Sequence, residues 1–243
     1  MIIIKPLIFE KFPEIQAGVS TKVGNDKSPF GFNMSTSVGD DVNEVYTNRE
    51  KFANYFGYKA SDLAYQHQIH SVNVKIVENS GYQGEYDAMV TNKKGLPIVV
   101  SLADCTPILL YEPEKKVIAA VHSGWKGTQN SIIKNVLNVM AANFKCNIKQ
   151  IFAYIGPSIS EYVYEVGKEF ENYFDKKYLL KKNNDKYLLN VKAKIYDDML
   201  ESGVEASQIQ ISNLCTFQND YLHSYRRDKE KSGRMYALMS ISQ

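Results

Sequence analysis

Apolar and polar positions follow two rhythms along the chain. After Tyr65, Val72, Val74 and Ile76 recur at every second residue, the period of a strand with one buried face. Two continuous apolar runs, Ile98-Val99-Val100 and Ile108-Leu109-Leu110, flank Ala103-Asp104-Cys105-Thr106-Pro107, and a third, Val117 to Val121, ends at His122. Runs of this length predict strands buried on both faces. Ile151 to Ile155, stopped by Gly156-Pro157, predicts another strand, Ile209 and Ile211 begin one more, and Tyr236 to Ile241 alternates as a terminal one.

The helical rhythm appears over residues 42–57, where Val45, Phe52 and Phe56 share a face and Asp41, three residues before Glu44, marks a start. Beyond the turn Ser123-Gly124-Trp125-Lys126-Gly127-Thr128, the positions Ile132, Ile133, Val136, Leu137 and Met140 predict a second helix. Asn190 as N-cap and Gly203 as stop bracket a third, with Ile195, Tyr196, Met199 and Leu200 expected inward. Residues 17–40, rich in Gly, Ser, Thr, Asn and Asp, read as a long loop region with room for short strands. Strands and helices do not alternate regularly, which predicts an α+β fold rather than a doubly wound sheet.

Composition narrows the function classes. Twenty-nine Lys and Arg against 27 Asp and Glu leave a formal charge of +2, too balanced to announce a nucleic-acid or membrane partner. The local run Lys176-Lys177 and Lys181-Lys182 is flanked by Asp175 and Asp185 and reads as a solvated face. The start of the chain, Met1 to Pro6, has neither a charged leader nor a long apolar run. Three cysteines without paired spacing argue against a disulfide framework, so the expectation is a cytoplasmic protein with reduced thiols.

Few residues can carry chemistry. The histidines are His67, His70, His122 and His223. On one unbroken strand His67 and His70, three apart, would face opposite sides and could not share a metal. Cys105 lies between two buried strands, directly after Asp104, where polar side chains reach the end of a buried element. A His–Cys–His set with one open position is a known type of catalytic zinc site. A lone buried cysteine is nonetheless ordinarily structural, and the wide sequence spacing of these residues does not decide the matter. The Gly124–Thr128 turn with Lys126 offers donors for an anion, or else is an ordinary glycine turn with Trp125 against the core. Arg226, Arg227 and Arg234 fall in a short span and, like Arg49 on the first helix, suit phosphate or carboxylate unless they serve local salt bridges.

Taken in order, these blocks resemble the YfiH/laccase-domain family, once labelled multicopper polyphenol oxidases and now described as purine nucleoside phosphorylases. The resemblance runs through Gly18-Val19-Ser20-Thr21, Gly39-Asp40-Asp41, Asn48-Arg49, Gln68-Ile69-His70 and Ala103 to Leu110. It continues through Ala120 to Thr128, Ile155-Gly156-Pro157, Tyr164 to Gly167, Cys215-Thr216, Ser224 to Asp228 and Gly233-Arg234. It implies a single domain over residues 1–243, an α/β/β/α sandwich similar to the deamidase domain of cytotoxic necrotizing factors. It also implies a catalytic zinc on His70, Cys105 and His122. Two positions depart from the family habit: Lys126 stands where arginine is common, and Ser123 where alanine is. Lysine keeps the charge but loses the planar fork.

The activity implied is phosphorolysis of adenosine, inosine and S-methyl-5′-thioadenosine, together with deamination of adenosine. Deamination suits such a zinc, which lowers the pKa of a water, with Asp104 the nearest carboxyl group in sequence to shuttle the proton. For phosphate and substrate the available cations are Arg49, Lys126, Arg226 and Arg227. Imidazole and thiolate accept copper as well as zinc, but four histidines are too few for a multicopper cluster. Two further readings stay open: a metal-free cysteine hydrolase or amidase with Cys105 as nucleophile and His122 as base, and a role in editing peptidoglycan precursors. The partners expected are purine nucleosides and phosphate, with no nucleic acid or membrane, and a homodimer is allowed.

Overall fold

The computed structural model describes residues 1–26 and 28–242. Its centre is a pair of six-stranded sheets. The first runs in the order β1 (Ile3–Ile4), β2 (Ile15–Ser20), β15 (Met235–Ile241), β7 (Ile98–Leu102), β3 (Ala64–His67) and β5 (Gly81–Glu85). The second runs β14 (Ile209–Ile211), β10 (Phe152–Ile155), β8 (Thr106–Glu112), β9 (Val117–Ser123), β6 (Ala88–Thr91) and β4 (Val74–Ile76). Each mixes parallel and antiparallel pairs, as in β3 with β7 and β15 with β7. A small third sheet joins β11 (Glu165–Gly167), β13 (Lys186–Leu189) and β12 (Leu179–Lys181).

Side-chain alternation assigns the layers. In the second sheet Ala88, Val90, Ile108, Leu110, Ala119 and Val121 pack with Ile133, Val136 and Leu137 of helix α3 (Ile132–Phe144) and with Ile195 and Met199 of helix α4 (Val191–Glu201). Their neighbours Met89, Leu109, Tyr111, Ile118 and Ala120 point the other way, against Ile98, Val100, Leu102, Ala237 and Met239 of the first sheet. Val99, Tyr236 and Leu238 on the far face of that sheet receive Phe52 and Ala53 of helix α1 (Val42–Tyr55), together with Phe56 just beyond its end. The result is the expected α/β/β/α stack, in which period-2 alternation puts a core on both faces of both sheets.

Local signals explain the element ends. Asp41 accepts the Asn43 N–H and starts α1, which stops at Tyr55 because Gly57 turns into the left-handed region at φ 80°. Asn190 accepts the Ala193 N–H at 2.9 Å and starts α4.

Two expectations need correction, and one is made specific. The alternation read from Tyr65 to Ile76 is two strands, β3 in the first sheet and β4 in the second, so the chain breaks between His67 and Val74 and crosses sheets there. Residues 17–20 of the loop region complete β2, where Val19 is buried and pairs with Ala237. Leu200 is 38% exposed; the buried positions of its helix include Asp198 instead, whose carboxylate meets Lys194 at 2.6 Å and Lys134 at 3.2 Å. Two lysines make that buried carboxylate tolerable.

His223 is fully buried, and Gly233 lies so close that a Cβ there would come within 2.6 Å of the ring. Burial foremost, then Lys22, pushes its pKa down from 6.5 to about 3, with Arg234 acting in the same direction and Asp228 against. Between those values the unfolded chain binds a proton that the folded chain does not. Stability therefore falls as pH drops through this window, by up to about 1.4 kcal/mol per pH unit. Urea unfolding of His223→Gln is expected to show a shallower loss of stability from pH 6 to pH 4.5 than the wild type; equal slopes would exclude this account.

Candidate metal centre

Two of the passages of chain from the first sheet to the second, β3 to β4 and β7 to β8, meet at the same end of the stack. Residues 68–73 join β3 to β4 and carry His70; residues 103–105 join β7 to β8 and carry Cys105. His122 is the penultimate residue of β9, paired with Pro107 of β8, which brings it beside the start of that strand. Ligand atoms of His70, Cys105 and His122 consequently lie within 4.8 Å of one another. The two imidazoles stand edge to face at 4.9 Å between centroids. The strand break between His67 and Val74 frees His70 from the opposite-face constraint, whereas His67 is exposed and contributes nothing to the cluster.

Asp87, which sequence reasoning passed over, organises the group. Its fully buried carboxylate accepts the backbone N–H groups of Ile69 (3.3 Å), His70 (3.1 Å) and Ser71 (2.6 Å) and the Ser71 hydroxyl (2.7 Å). Its Oδ1 also meets His122 Nδ1 at 2.8 Å, while its own carbonyl accepts the His122 N–H at 2.7 Å. Burial alone would push the Asp87 carboxyl up, but the donors from His122 and Ser71 outweigh it and hold it below the usual range. The only hint in the sequence was one acidic residue directly before the apolar run Ala88-Met89-Val90.

The same donors hold His70 at φ 58°, an uncommon conformation for a residue with a side chain. Burial, followed by the neighbouring His122, pushes the His70 pKa down. Burial also opposes charge on His122, but the sulfur of Cys105 and the carboxylate of Asp87 override it and raise its pKa to about 9.

The donor set suits a divalent metal. Two imidazoles and a thiol converge, and His122 is held through Nδ1 by a carboxylate, the outer arrangement metal-binding histidines commonly have. Space for the cluster depends on Gly124, where a Cβ would come within 2.6 Å of His70 Nδ1 and 3.1 Å of Cys105 Sγ. Any larger residue would displace two of the three donors.

A cavity of about 610 Å³ opens beside the cluster, bordered by Arg49, Arg234, Tyr65, Tyr82, Tyr225 and Tyr236 as well as His70, Cys105 and His122. Arg49 Nε donates to the Met34 carbonyl at 2.8 Å, and its guanidinium lies 5.5 Å from the rings of both Tyr65 and Tyr236. Arg234 spends one nitrogen, Nη1, on the carbonyls of Ser232 and Gly233.

The other predicted residues lie outside this cavity. Arg227 donates to the carbonyls of Thr216, Phe217, Asn219 and Leu222 and makes a two-pronged pair with Asp228, so its fork is fully used in holding its loop. Asp104, at φ 87°, accepts the Thr216 hydroxyl on one oxygen and the Arg226 N–H on the other, both at 2.6 Å. Lys126 is exposed on the short helix α2 (Trp125–Gln129), 5.6 Å from the Trp125 ring. Arg226 borders a second, smaller cavity.

A four-layer α/β/β/α stack with a His–Cys–His cluster at its sheet crossings defines a fold with a candidate metal site at one end. The chain belongs to the YfiH-type laccase-domain family: the family described as multi-copper polyphenol oxidoreductase laccase matches residues 16–242. It is 33% identical over 208 residues to a purine nucleoside phosphorylase of Deinococcus radiodurans, covering 83% of this chain and 79% of that protein. It is 30% identical to the purine nucleoside phosphorylase YlmD of Bacillus subtilis, covering 95% and 90%. Among solved structures, the hypothetical protein YfiH of Bacillus licheniformis superposes with a TM-score of 0.91 at 26% identity, covering 96% of this chain and 95% of that one. YlmD of Geobacillus stearothermophilus gives 0.90 at 25% identity, covering 96% and 94%.

Replacing Asp87 by Asn removes the charge that orients His122 while keeping the shape. Zinc affinity, read by competition with a chromophoric chelator, is expected to fall about 10- to 100-fold. Affinity equal to the wild type would deny Asp87 its organising role.

Proposed function

We propose that this protein is a zinc-dependent purine nucleoside enzyme of the cytoplasm. Its reaction is phosphorolysis of adenosine, inosine and S-methyl-5′-thioadenosine to the free base and the (methylthio)ribose 1-phosphate, accompanied by deamination of adenosine. One observation carries this reading: the His70–Cys105–His122 cluster forms one wall of a cavity whose remaining border combines aromatic rings with two arginines. Several relatives named purine nucleoside phosphorylase support it.

Zinc held by His70, Cys105 and His122 would supply Lewis acidity at the cavity wall. The chain supplies the rest. Tyr65, Tyr82 and Tyr236 offer flat apolar faces to a purine, and Arg49, kept extended by Met34 and the tyrosine rings, puts positive charge beside it. Arg234 adds a second cation on the same border. Asp104 we assign to positioning rather than proton transfer, since both carboxylate oxygens already accept protein donors.

A second reading has its own observation. Asp87, His122 and Cys105 line up as a carboxylate, an imidazole and a thiol, the order of a cysteine-hydrolase triad. Such an enzyme would act on an amide, with peptidoglycan precursors a fitting substrate class.

Chromatography of adenosine incubated with phosphate and the purified protein separates the two. Adenine and inosine should form with metal present, vanish after chelation and return with zinc, and Cys105→Ala should lower both rates by about a hundredfold or more. Adenosine left intact by zinc-loaded protein would overturn the nucleoside reading. An amidase activity that survives chelation and is abolished by alkylation of Cys105 would establish the hydrolase in its place.

A further inference from the structure

Cys105 borders two cavities. Ala103, Cys105 and Tyr225 line both the large cavity with His70 and His122 and a smaller one of about 400 Å³ on the side of Asp104. The smaller cavity has apolar walls from Ile159 and Val191 and collects three unspent donors: Tyr164, Arg226 and Lys229.

Arg226 commits one guanidinium nitrogen, Nη1, to the Glu165 carbonyl at 3.0 Å and lies 5.2 Å from the Tyr164 ring, leaving Nε and Nη2 without partners among the described residues. Lys229 makes no ion pair among the described residues, and its ammonium lies 5.9 Å from the Tyr225 ring. The Tyr164 hydroxyl has no hydrogen bond among the described residues and borders the same cavity. One carboxylate borders this cavity, that of Asp104, and its two oxygens are taken by Thr216 and the Arg226 N–H. The contrast with adjacent Arg227, whose fork is fully spent, marks the free guanidinium of Arg226 as one the loop does not need.

We propose that the smaller cavity is the phosphate site, holding inorganic phosphate on Arg226, Lys229 and the Tyr164 hydroxyl while the nucleoside occupies the adjoining large cavity. The inference rests on the phosphorolysis reading. Displacement at an anomeric carbon needs the entering oxygen within reach of C1′ and opposite the departing base, so the proposal requires the two cavities to open onto each other beside the residues they share, Ala103, Cys105 and Tyr225. In the balanced step a phosphate oxygen forms the bond to C1′ as the bond from C1′ to the purine nitrogen breaks. The bonding pair leaves with the base, and the proton of hydrogen phosphate passes to it, giving ribose 1-phosphate and free purine.

The test uses the metal-retaining protein with Arg226→Gln and with Lys229→Asn, the latter chosen because Asn tolerates the φ of 52° at that position. Calorimetric titration with inorganic phosphate, and separately with adenosine 5′-monophosphate, reads the site without turnover; steady-state kinetics reads the two KM values. Each variant is expected to weaken phosphate binding and raise the KM for phosphate about tenfold, with the KM for adenosine changed less than about twofold. Phosphate affinity untouched in both variants but lost in Arg49→Met or Arg234→Met would overturn the assignment, as would binding of the monophosphate ester alone. Phosphate bound at this site by a protein that releases no base would support the site while ending the phosphorolysis reading. Phosphorolysis with wild-type KM for phosphate in both variants would do the reverse.

Discussion

The buried carboxylate of Asp87 is the constraint on which the His70–Cys105–His122 end of the stack depends. An isolated charge in that position would cost several kcal/mol. It is tolerated because three successive backbone N–H groups, one hydroxyl and one imidazole surround it. Those same donors fold residues 69–71 into a tight turn about the carboxylate, so satisfying the charge and placing His70 are a single event. The strained φ of His70 is then a consequence of where its N–H must point. His122 is fixed by the same atom and by the carbonyl of the same residue, which locks the relative position of two of the three donors.

The sheet topology supplies the third. A chain crossing from one packed sheet to another must leave its hydrogen-bond ladder at the end of a strand, and there backbone groups and polar side chains can converge without disrupting the apolar layer. The crossings from β3 to β4 and from β7 to β8 fall at this end, and each delivers one donor. Arg227 secures the loop from Thr216 to Leu222 through four carbonyls, and that loop and the start of helix α5 (Tyr225–Asp228) in turn hold Asp104 by the Thr216 hydroxyl and the Arg226 N–H. The residue before Cys105 is thereby anchored as firmly as the turn that carries His70.

Much of the architecture was legible because alternation and capping are local. The runs at 98–100, 108–110 and 117–121 are buried strands, and Asp41 and Asn190 cap helices, since each signal depends on neighbours within a few residues. What was hidden depends on distant partners. Arg226 and Arg227 look alike in sequence, and only the loop geometry shows one spent and the other open. Leu200 seemed the inward residue of its turn until Lys134, from another helix, made Asp198 the better-compensated one. Asp87 gave little sign of its role, because none of its donors lies within ten residues of it in the chain. The expected His70, Cys105 and His122 grouping came from motif resemblance, since spacing alone could not assemble it.

The choice between a metal centre and a hydrolase triad turns on features that only one of them uses. Asp87, His122 and Cys105 suffice for a triad, and their contacts serve either chemistry equally. His70 does not belong to the triad, yet the fold holds it at a positive φ, satisfies its N–H with a buried charge and keeps position 124 free of a Cβ that would strike its ring. A triad gains nothing from a second imidazole standing 4.9 Å from its base. A cation held by His70, Cys105 and His122 would use all three donors and would account for the strain, the glycine and the buried carboxylate together. On that ground the metal-dependent reading is the stronger of the two.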